Sequence, residues 1–160
     1  MNNEVSIRLA KLNEAKVIHE VLFAAFEEFR DFYSPEGFSD TVLSEEAATA
    51  RIQEMPVYVA VNRENKVIGT IGWQKVNERE GHIRGMGVLP EWQGLDSPAG
   101  SLLQQAEKDA LAKGCSILSL DTTEILQRAQ NFYKKYGFKK TGKTGNFFGS
   151  TIYEFVKTIS

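Results

Sequence analysis

Apolar and polar residues follow two different periods at the start of this chain of 160 residues. Residues 5–9 alternate with a period of two, which is typical of a short strand. Apolar residues from position 18 to 29 then recur every three or four positions, which predicts a helix with Asn13 as its N-cap. Residues 41–54 indicate a further helix that ends before Pro56.

Four aromatic side chains lie close together in residues 29–38, around a turn at residues 34–37 that interrupts the helical pattern. One interpretation is a second helix packed on the first. The other is a lid that faces a substrate, because aromatic side chains line many pockets and loops often cover them.

Three strands follow in a row. Residues 57–61 and 66–73 have the pattern of two strands joined by a polar turn of hairpin length. A second polar turn leads to a third strand, residues 82–88, which ends before Pro90 because proline has no amide hydrogen for a sheet. We therefore expect an antiparallel meander.

A helix then crosses back over the sheet. Ser97 is placed to cap it, Pro98 fits its first position, and a Lys-Gly pair at residues 113–114 is a typical helix end. The next strand, residues 116–120, must run parallel to the strand at residues 82–88, because a helical crossover connects them.

The last part of the chain predicts one helix and two strands. The helix begins near Ile125 and ends at Gly137, and residues 139–143 and 151–156 alternate again. The expected fold class is α/β (α+β), with a mixed central sheet of six to seven strands and helices on both faces. Residues 1–160 are expected to form one domain.

Composition narrows the class of function. With 42% hydrophobic residues the chain can bury a full core, and its single cysteine, Cys115, suits a reducing cytoplasm and is expected to be a buried, inert thiol. No signal peptide or membrane-spanning run is visible. A net charge of −2 argues against nucleic acid as a partner. Small ligands remain, and the sequence leaves a homodimer open.

Residues 137–144 satisfy the phosphate-loop expression GxxxxGK[ST] letter for letter. A phosphate loop needs a buried strand before it and a helix after it. Here a helical pattern precedes the motif and the alternating residues 151–156 follow it, so we reject nucleotide hydrolysis and expect these lysines on a solvated strand face.

The turn at residues 93–96 joins the third strand of the meander to the crossover helix. Its backbone amides, together with those of the helix start, can form a concave site for an anion. Gly85 and Gly87, in the strand before it, allow a ligand to approach the backbone; the alternative is tight packing beneath a helix.

Two motifs in this order of elements resemble the GNAT superfamily of N-acetyltransferases. The first is Val88-x-Pro90-x-x-Gln93-Gly94, which is similar to the start of the family's acetyl-CoA motif. The second is A-x-x-F-Y-x-x-x-G-F at residues 129–138. The resemblance spans nearly the whole chain and implies an acetyl-CoA-dependent enzyme that needs no metal. It also implies that the central sheet splays between strands 4 and 5, at a bulge near residues 86–88.

The resemblance implies roles for individual residues. Tyr133 matches the tyrosine that protonates the departing thiolate; the alternative is a core aromatic. The base that removes the amine proton stays open among Glu78, Glu80, His82, Asp121, Glu124 and water. The residues implied to bind the cofactor are Met86, Gly87, Val88, Gln93, Gly94, Leu95, Ala99, Gly100, Ser101 and Phe132.

The chain departs from the family pattern at two places. The turn after Gln93 is two residues longer than usual and contains Asp96, whose side chain we expect to point outward, away from the phosphates. Leu126 stands where the family often has asparagine.

The expected activity is transfer of an acetyl group to the amine of a small molecule. The alternatives are a weakly active module that binds an acyl-CoA or a partner protein, and acetylation of a protein N-terminus or lysine. Residues 29–38 and the terminal hairpin are expected to select the acceptor.

Overall fold

The computed structural model describes residues 4–94 and 97–160. Its strands are β1 (Ser6–Leu9), β2 (Val57–Val61), β3 (Val67–Lys75), β4 (Glu80–Val88), β5 (Ile117–Thr123), β6 (Lys139–Phe147) and β7 (Ser150–Thr158). Its α-helices are α1 (Ala15–Phe26), α2 (Pro35–Thr41), α3 (Glu45–Glu54), α4 (Ala99–Ala112) and α5 (Gln127–Lys135). Short 3₁₀ helices occupy Leu12–Glu14, Glu27–Phe32 and Pro90–Trp92.

The seven strands form one sheet in the order β1-β2-β3-β4-β5-β7-β6. Strand β4 pairs with β5 in parallel, and every other recorded pair is antiparallel. The predicted meander, the crossover and the mixed sheet are confirmed. Strand β2 is buried along its whole length, whereas residues 139–146 of β6 are exposed at the edge of the sheet.

Helices cover both faces of the sheet, and the glycines of β3 and β4 distinguish those faces. A Cβ built on Gly87 would lie 3.0 Å from Leu22 of α1, and a Cβ built on Gly69 would lie 3.1 Å from Leu102 of α4. Gly87 pairs with Thr70, the neighbour of Gly69, and adjacent strand residues point to opposite faces. We call these the α1 face and the α4 face.

Four predicted helix starts differ from the structure. Helix α1 begins at Ala15 because Asn13 lies in a 3₁₀ turn, where Glu14 binds the Arg8 guanidinium through two oxygens at 2.8 Å. The predicted helix at residues 41–54 begins only at Glu45, because α2 ends at Thr41. Its N-cap is Ser44.

Helices α4 and α5 also begin later than predicted. Pro98 is the N-cap of α4 rather than its first residue, and the Ser97 hydroxyl accepts a bond from the Ala99 amide. Helix α5 begins at Gln127, because the preceding turn is held by the buried side chain of Gln130, which donates to the Thr123 carbonyl.

The structure supports the rejection of a phosphate loop at residues 137–144. Gly137 follows the end of α5, and the exposed strand β6 follows it, so no helix N-terminus meets the motif lysine Lys143. The single cysteine, Cys115, is buried as expected. Across residues 4–94 and 97–160, no helix combines the length and the apolar character that crossing a membrane requires.

Candidate active site

Strands β4 and β5 separate partway along the sheet. Their parallel pairing covers Glu80↔Ile117, Gly81↔Leu118 and His82↔Ser119. Beyond that point β4 stays with β3 up to Val88, and β5 stays with β7 up to Thr123. We call the opening between residues 83–88 of β4 and 120–123 of β5 the fork. The predicted splay between strands 4 and 5 is therefore confirmed.

The bulge in β4 lies earlier than predicted. The register between β3 and β4 shifts where Arg84 and Gly85 lie opposite Gly72, so the bulge is not at residues 86–88. Gly85 adopts a φ of +77°, a left-handed conformation that favours glycine. The Arg51 side chain of α3 lies against this bulge and donates to the Arg84 carbonyl at 3.4 Å.

The α4 face of the fork carries a buried phenol beside a sulfur atom. Met86 is adjacent to Gly87 and therefore points to the α4 face. The Tyr133 hydroxyl of α5 donates to its Sδ atom at 3.6 Å. Burial raises the pKa of Tyr133 to about 12, so the phenol keeps its proton at neutral pH. The structure thus brings Tyr133 and Met86 together at the fork.

Thr122 of β5 lies on this same face. Gly81 and Leu118 point to the α4 face, because a Cβ on Gly81 would contact Leu118 and Trp73, whose indole donates to Asp109 of α4. Alternation along β5 then places Thr122 on the α4 face. Among the described residues, Thr122 Oγ1 is the one buried side-chain oxygen or nitrogen without a hydrogen-bond partner. Sequence reasoning missed it, because threonine is common in strands.

The turn between β4 and α4 is tied to both neighbouring elements. The Gln93 side chain donates to the Val88 carbonyl at 3.0 Å and accepts a bond from Arg128 of α5 at 2.9 Å. Gly94 follows with a φ of +101°. Leu95 and Asp96 lie outside the described residues. Arg128, an exposed cation at this turn, was not identified from the sequence.

The first turn of α4 presents backbone amides. The first bond within the helix runs from the Leu102 amide to the Pro98 carbonyl, so the amides of Gly100 and Ser101 precede the intrahelical ladder. The Ala99 amide is already bound by Ser97 Oγ at 3.1 Å. This end of the helix therefore has a positive electrostatic potential, which attracts an anion.

Two predicted cofactor residues also have a packing role. A Cβ on Gly100 would collide with the Tyr136 hydroxyl oxygen, so α4 and α5 approach each other there. The ring of Phe132 lies between Tyr133 and Tyr136, at centroid distances of 5.4 and 4.8 Å. Gly87 is likewise packed beneath α1, which favours the packing interpretation over ligand approach on that face.

The α1 face of the fork carries a hydrogen-bonded polar cluster. Ser119, which is fully buried, donates to Glu80 Oε2 at 2.6 Å, and its Oγ lies 2.7 Å from His82 Nδ1. His82 Nε2 lies 3.6 Å from Asp121 Oδ2. Four residues on two strands therefore meet where the parallel pairing ends.

Burial has the largest effect on the pKa values of His82 and Asp121, at the centre of this cluster. It lowers the pKa of His82, against the negative charge of Asp121, and it raises the pKa of Asp121, against the positive charge of His82. The imidazole is therefore neutral at pH 7. Of the base candidates from the sequence, Glu80, His82 and Asp121 are brought together, whereas Glu78 and Glu124 are exposed in neighbouring turns.

The aromatic segment that precedes and begins α2 reaches the open end of the fork. The buried Tyr33 hydroxyl lies 3.0 Å from Thr123 Oγ1 of β5, and the Tyr33 ring meets Phe147 of β6 edge to face. Phe38 of α2 packs on Phe23 of α1. This packing supports the interpretation of residues 29–38 as a segment packed on the first helix, and the substrate-facing lid stays a prediction.

Within the described ranges, His, Cys, Asp and Glu side chains form no group of three or more suited to holding a metal ion.

This geometry agrees with comparisons to known proteins. The family model for the acetyltransferase (GNAT) family matches residues 22–138, which is most of the chain. The chain therefore belongs to the GNAT acetyltransferase family. A search of curated proteins found no match.

Solved structures share the fold at low sequence identity. PaiA N-acetyltransferase from Thermoplasma acidophilum, in complex with coenzyme A, is 20% identical with a TM-score of 0.82, over 97% of this chain and 99% of that one. A GNAT family acetyltransferase from Elizabethkingia anophelis with acetyl-CoA bound is 17% identical, with a TM-score of 0.75 over 99% and 100%. Ard1 from Thermoplasma volcanium is 15% identical, with a TM-score of 0.79 over 98% of both chains.

The contact between Gly100 and Tyr136 predicts the effect of a small substitution. Alanine usually stabilises a helix by about 1 kcal/mol relative to glycine. Gly100→Ala is expected instead to lower the free energy of unfolding by about 1–3 kcal/mol, because its methyl group collides with Tyr136. Urea unfolding of the ligand-free protein measures this.

Ser101→Ala, one residue further along an exposed helix face, is the control and should change stability little. Tyr136→Phe removes the nearest atom, so combining it with Gly100→Ala should recover part of the loss. A Gly100→Ala protein that is more stable than the wild type would contradict this packing role.

Proposed function

We propose that the protein transfers an acetyl group from acetyl-CoA to the amine of a small molecule. The observation that carries this proposal is the fork, which has a buried, protonated phenol on its α4 face and a neutral histidine beside a carboxylate on its α1 face. Acetyl transfer needs an acid for the leaving sulfur and a base for the attacking amine, on opposite sides of one carbonyl carbon.

Residues on the α4 side suit the cofactor. The backbone edges of β4 and β5 at the fork are free to bind a pantetheine arm, and the unpartnered Thr122 hydroxyl offers it a hydrogen bond. The Gly100 and Ser101 amides, with Arg128 nearby, suit the negative pyrophosphate. Relatives of the same fold carry coenzyme A or acetyl-CoA, which supports this assignment.

The reaction can be written with these groups. The amine nitrogen attacks the thioester carbon, the new N–C bond forms, and the C–S bond breaks. The amine proton passes to the polar cluster on the α1 face, and the Tyr133 phenol donates to the leaving thiolate. The backbone amides at the fork can stabilise the negative charge that develops on the carbonyl oxygen.

The carboxylates on the α1 side of the fork, and the segment bonded at its open end, favour a small cationic acceptor. Asp121 lies opposite Glu154 of the neighbouring strand β7. Together with Glu80, three carboxylates therefore lie on the α1 side of the fork. Such a surface attracts an ammonium group. The bond between Tyr33 and Thr123 joins the segment before α2 to β5 at the open end of the fork, and cover at this end favours a small molecule over a folded protein.

Calorimetric titration and an amine panel test the proposal. We expect acetyl-CoA to bind with micromolar affinity, about −8 kcal/mol, and thiol release to appear with one or more small amines. No heat at millimolar cofactor would remove the enzyme assignment. Cofactor binding without turnover would favour the binding module, and a product formed only on peptides would favour a protein acetyltransferase.

Tyr133→Phe tests the acid. The substitution removes only the hydroxyl, so acetyl-CoA affinity and melting temperature should change little while kcat falls by about 10². Tyr33→Phe is the matched control, because it removes another buried phenol, the one that binds Thr123. It should cost stability more than Tyr133→Phe does. Wild-type turnover in Tyr133→Phe at saturating substrate would leave thiolate protonation to water.

Thr122→Val separates stability from cofactor binding. An unpartnered buried hydroxyl is costly, so valine should raise the free energy of unfolding by about 1 kcal/mol. If that hydroxyl serves the cofactor, acetyl-CoA affinity should fall about fivefold at the same time.

Thr70→Val is the matched control for Thr122→Val. Thr70 is equally buried but donates to the Tyr58 carbonyl at 3.0 Å, so its loss should destabilise the fold and leave affinity near the wild-type value. Thermal unfolding and calorimetry on both variants decide the matter. An unchanged affinity in Thr122→Val would exclude its hydroxyl from the cofactor site.

A further inference from the structure

The polar cluster on the α1 face contains a directional chain of hydrogen bonds. Glu80 Oε2 accepts the hydroxyl proton of Ser119 at 2.6 Å. A serine hydroxyl has one proton, so Ser119 Oγ can only accept at its other contact, His82 Nδ1, 2.7 Å away. The hydrogen of a neutral His82 must therefore lie on Nδ1.

The opposite side of the ring agrees with this assignment. His82 Nε2 lies 3.6 Å from Asp121 Oδ2, beyond the usual range of an N–H···O bond. Two atoms that both accept hydrogen bonds are expected to stay apart in this way. After Nε2 takes up a proton, the same carboxylate becomes its partner.

We propose that Glu80 and Ser119 are positioning residues that hold His82 in its Nδ1–H tautomer, so that Nε2 carries the lone pair that removes the proton of the acceptor amine. This inference rests on the proposed acetyl transfer. The proton moves from the amine nitrogen to Nε2, the resulting imidazolium is stabilised by Asp121, and the proton leaves to solvent past that carboxylate, which is 43% exposed.

The charged groups around the ring suit a base that works near neutral pH. Glu80 and Arg84 face it from β4, Asp121 faces it from β5, and Glu154 faces it from β7. Burial keeps the pKa of His82 below its usual value despite the three carboxylates, so the lone pair on Nε2 is available at pH 7.

The chain supplies its own reference for the measurement. It has two histidines, His19 and His82. His19 Nδ1 lies 2.6 Å from the Leu43 carbonyl oxygen, which can only accept, so neutral His19 must also be the Nδ1–H tautomer. A His19→Gln variant assigns the two sets of resonances.

Imidazole ¹⁵N NMR on the ligand-free protein at pH 8 tests the tautomer without any turnover. We expect Nδ1 of His82 to resonate as a protonated nitrogen and Nε2 as an unprotonated one, as in His19. In Ser119→Ala the pattern of His82 should reverse, because Nε2–H then gains Asp121 as a partner, while His19 stays unchanged. Ser116→Ala, just before β5, is the matched control and should leave both rings as they are.

Thiol release with an accepted amine completes the test. Ser119→Ala should lower kcat at pH 8 by about tenfold or more, within the range of general-base catalysis, with acetyl-CoA affinity retained. A wild-type His82 in the Nε2–H form, or a Ser119→Ala enzyme with wild-type rate, would overturn the inference while leaving the acetyltransferase assignment intact. No thiol release with any amine would overturn the proposed function and this inference together.

Discussion

The fork depends on a conflict between two strand pairings. Strand β4 follows β3 to Val88 and β5 follows β7 to Thr123, and the two pairs diverge after His82 and Ser119. Backbone donors and acceptors on the edges of the fork are then not paired between β4 and β5. Because buried peptide groups need hydrogen bonds, these groups suit another partner. The Arg84–Gly85 bulge bends β4 just beyond this point. A sheet that stayed paired would offer no such opening.

The sheet also divides the chemistry between two layers. Residues that alternate along β4 and β5 point to opposite faces, so Met86 and Thr122 lie on the α4 face, where Tyr133 of α5 contacts Met86, whereas His82 and Asp121 lie on the α1 face. The proposed acid and the proposed base thus approach one point from two sides. Neither layer alone could provide both groups, because each helix covers one face only.

Predictions from the sequence succeeded where local patterns dominate. The meander, the helical crossover and the family were all predicted, because strand alternation, proline and glycine positions and two motifs are local signals. Several predicted helix starts, those at Asn13, Pro98 and Ile125 among them, were wrong because side-chain contacts within the preceding turns decide them. Arg8 holds Glu14, and Gln130 holds the turn before α5.

The bulge was expected two residues too late for a related reason: both Gly85 and Gly87 permit it, and only pairing with β3 chooses between them.

The candidate site shows the same division. The motif around Tyr133 and the strand before Pro90 indicated by themselves which elements would carry the candidate site. The sequence could not select a base, because Glu80, Ser119, His82 and Asp121 come together only through the parallel pairing of strands far apart in the chain. It gave no sign of Thr122, whose hydroxyl stands out only after packing has buried it without a partner. Local patterns thus specify elements, whereas hydrogen-bond partners and burial are properties of the assembled sheet, and these decided the chemistry of the fork.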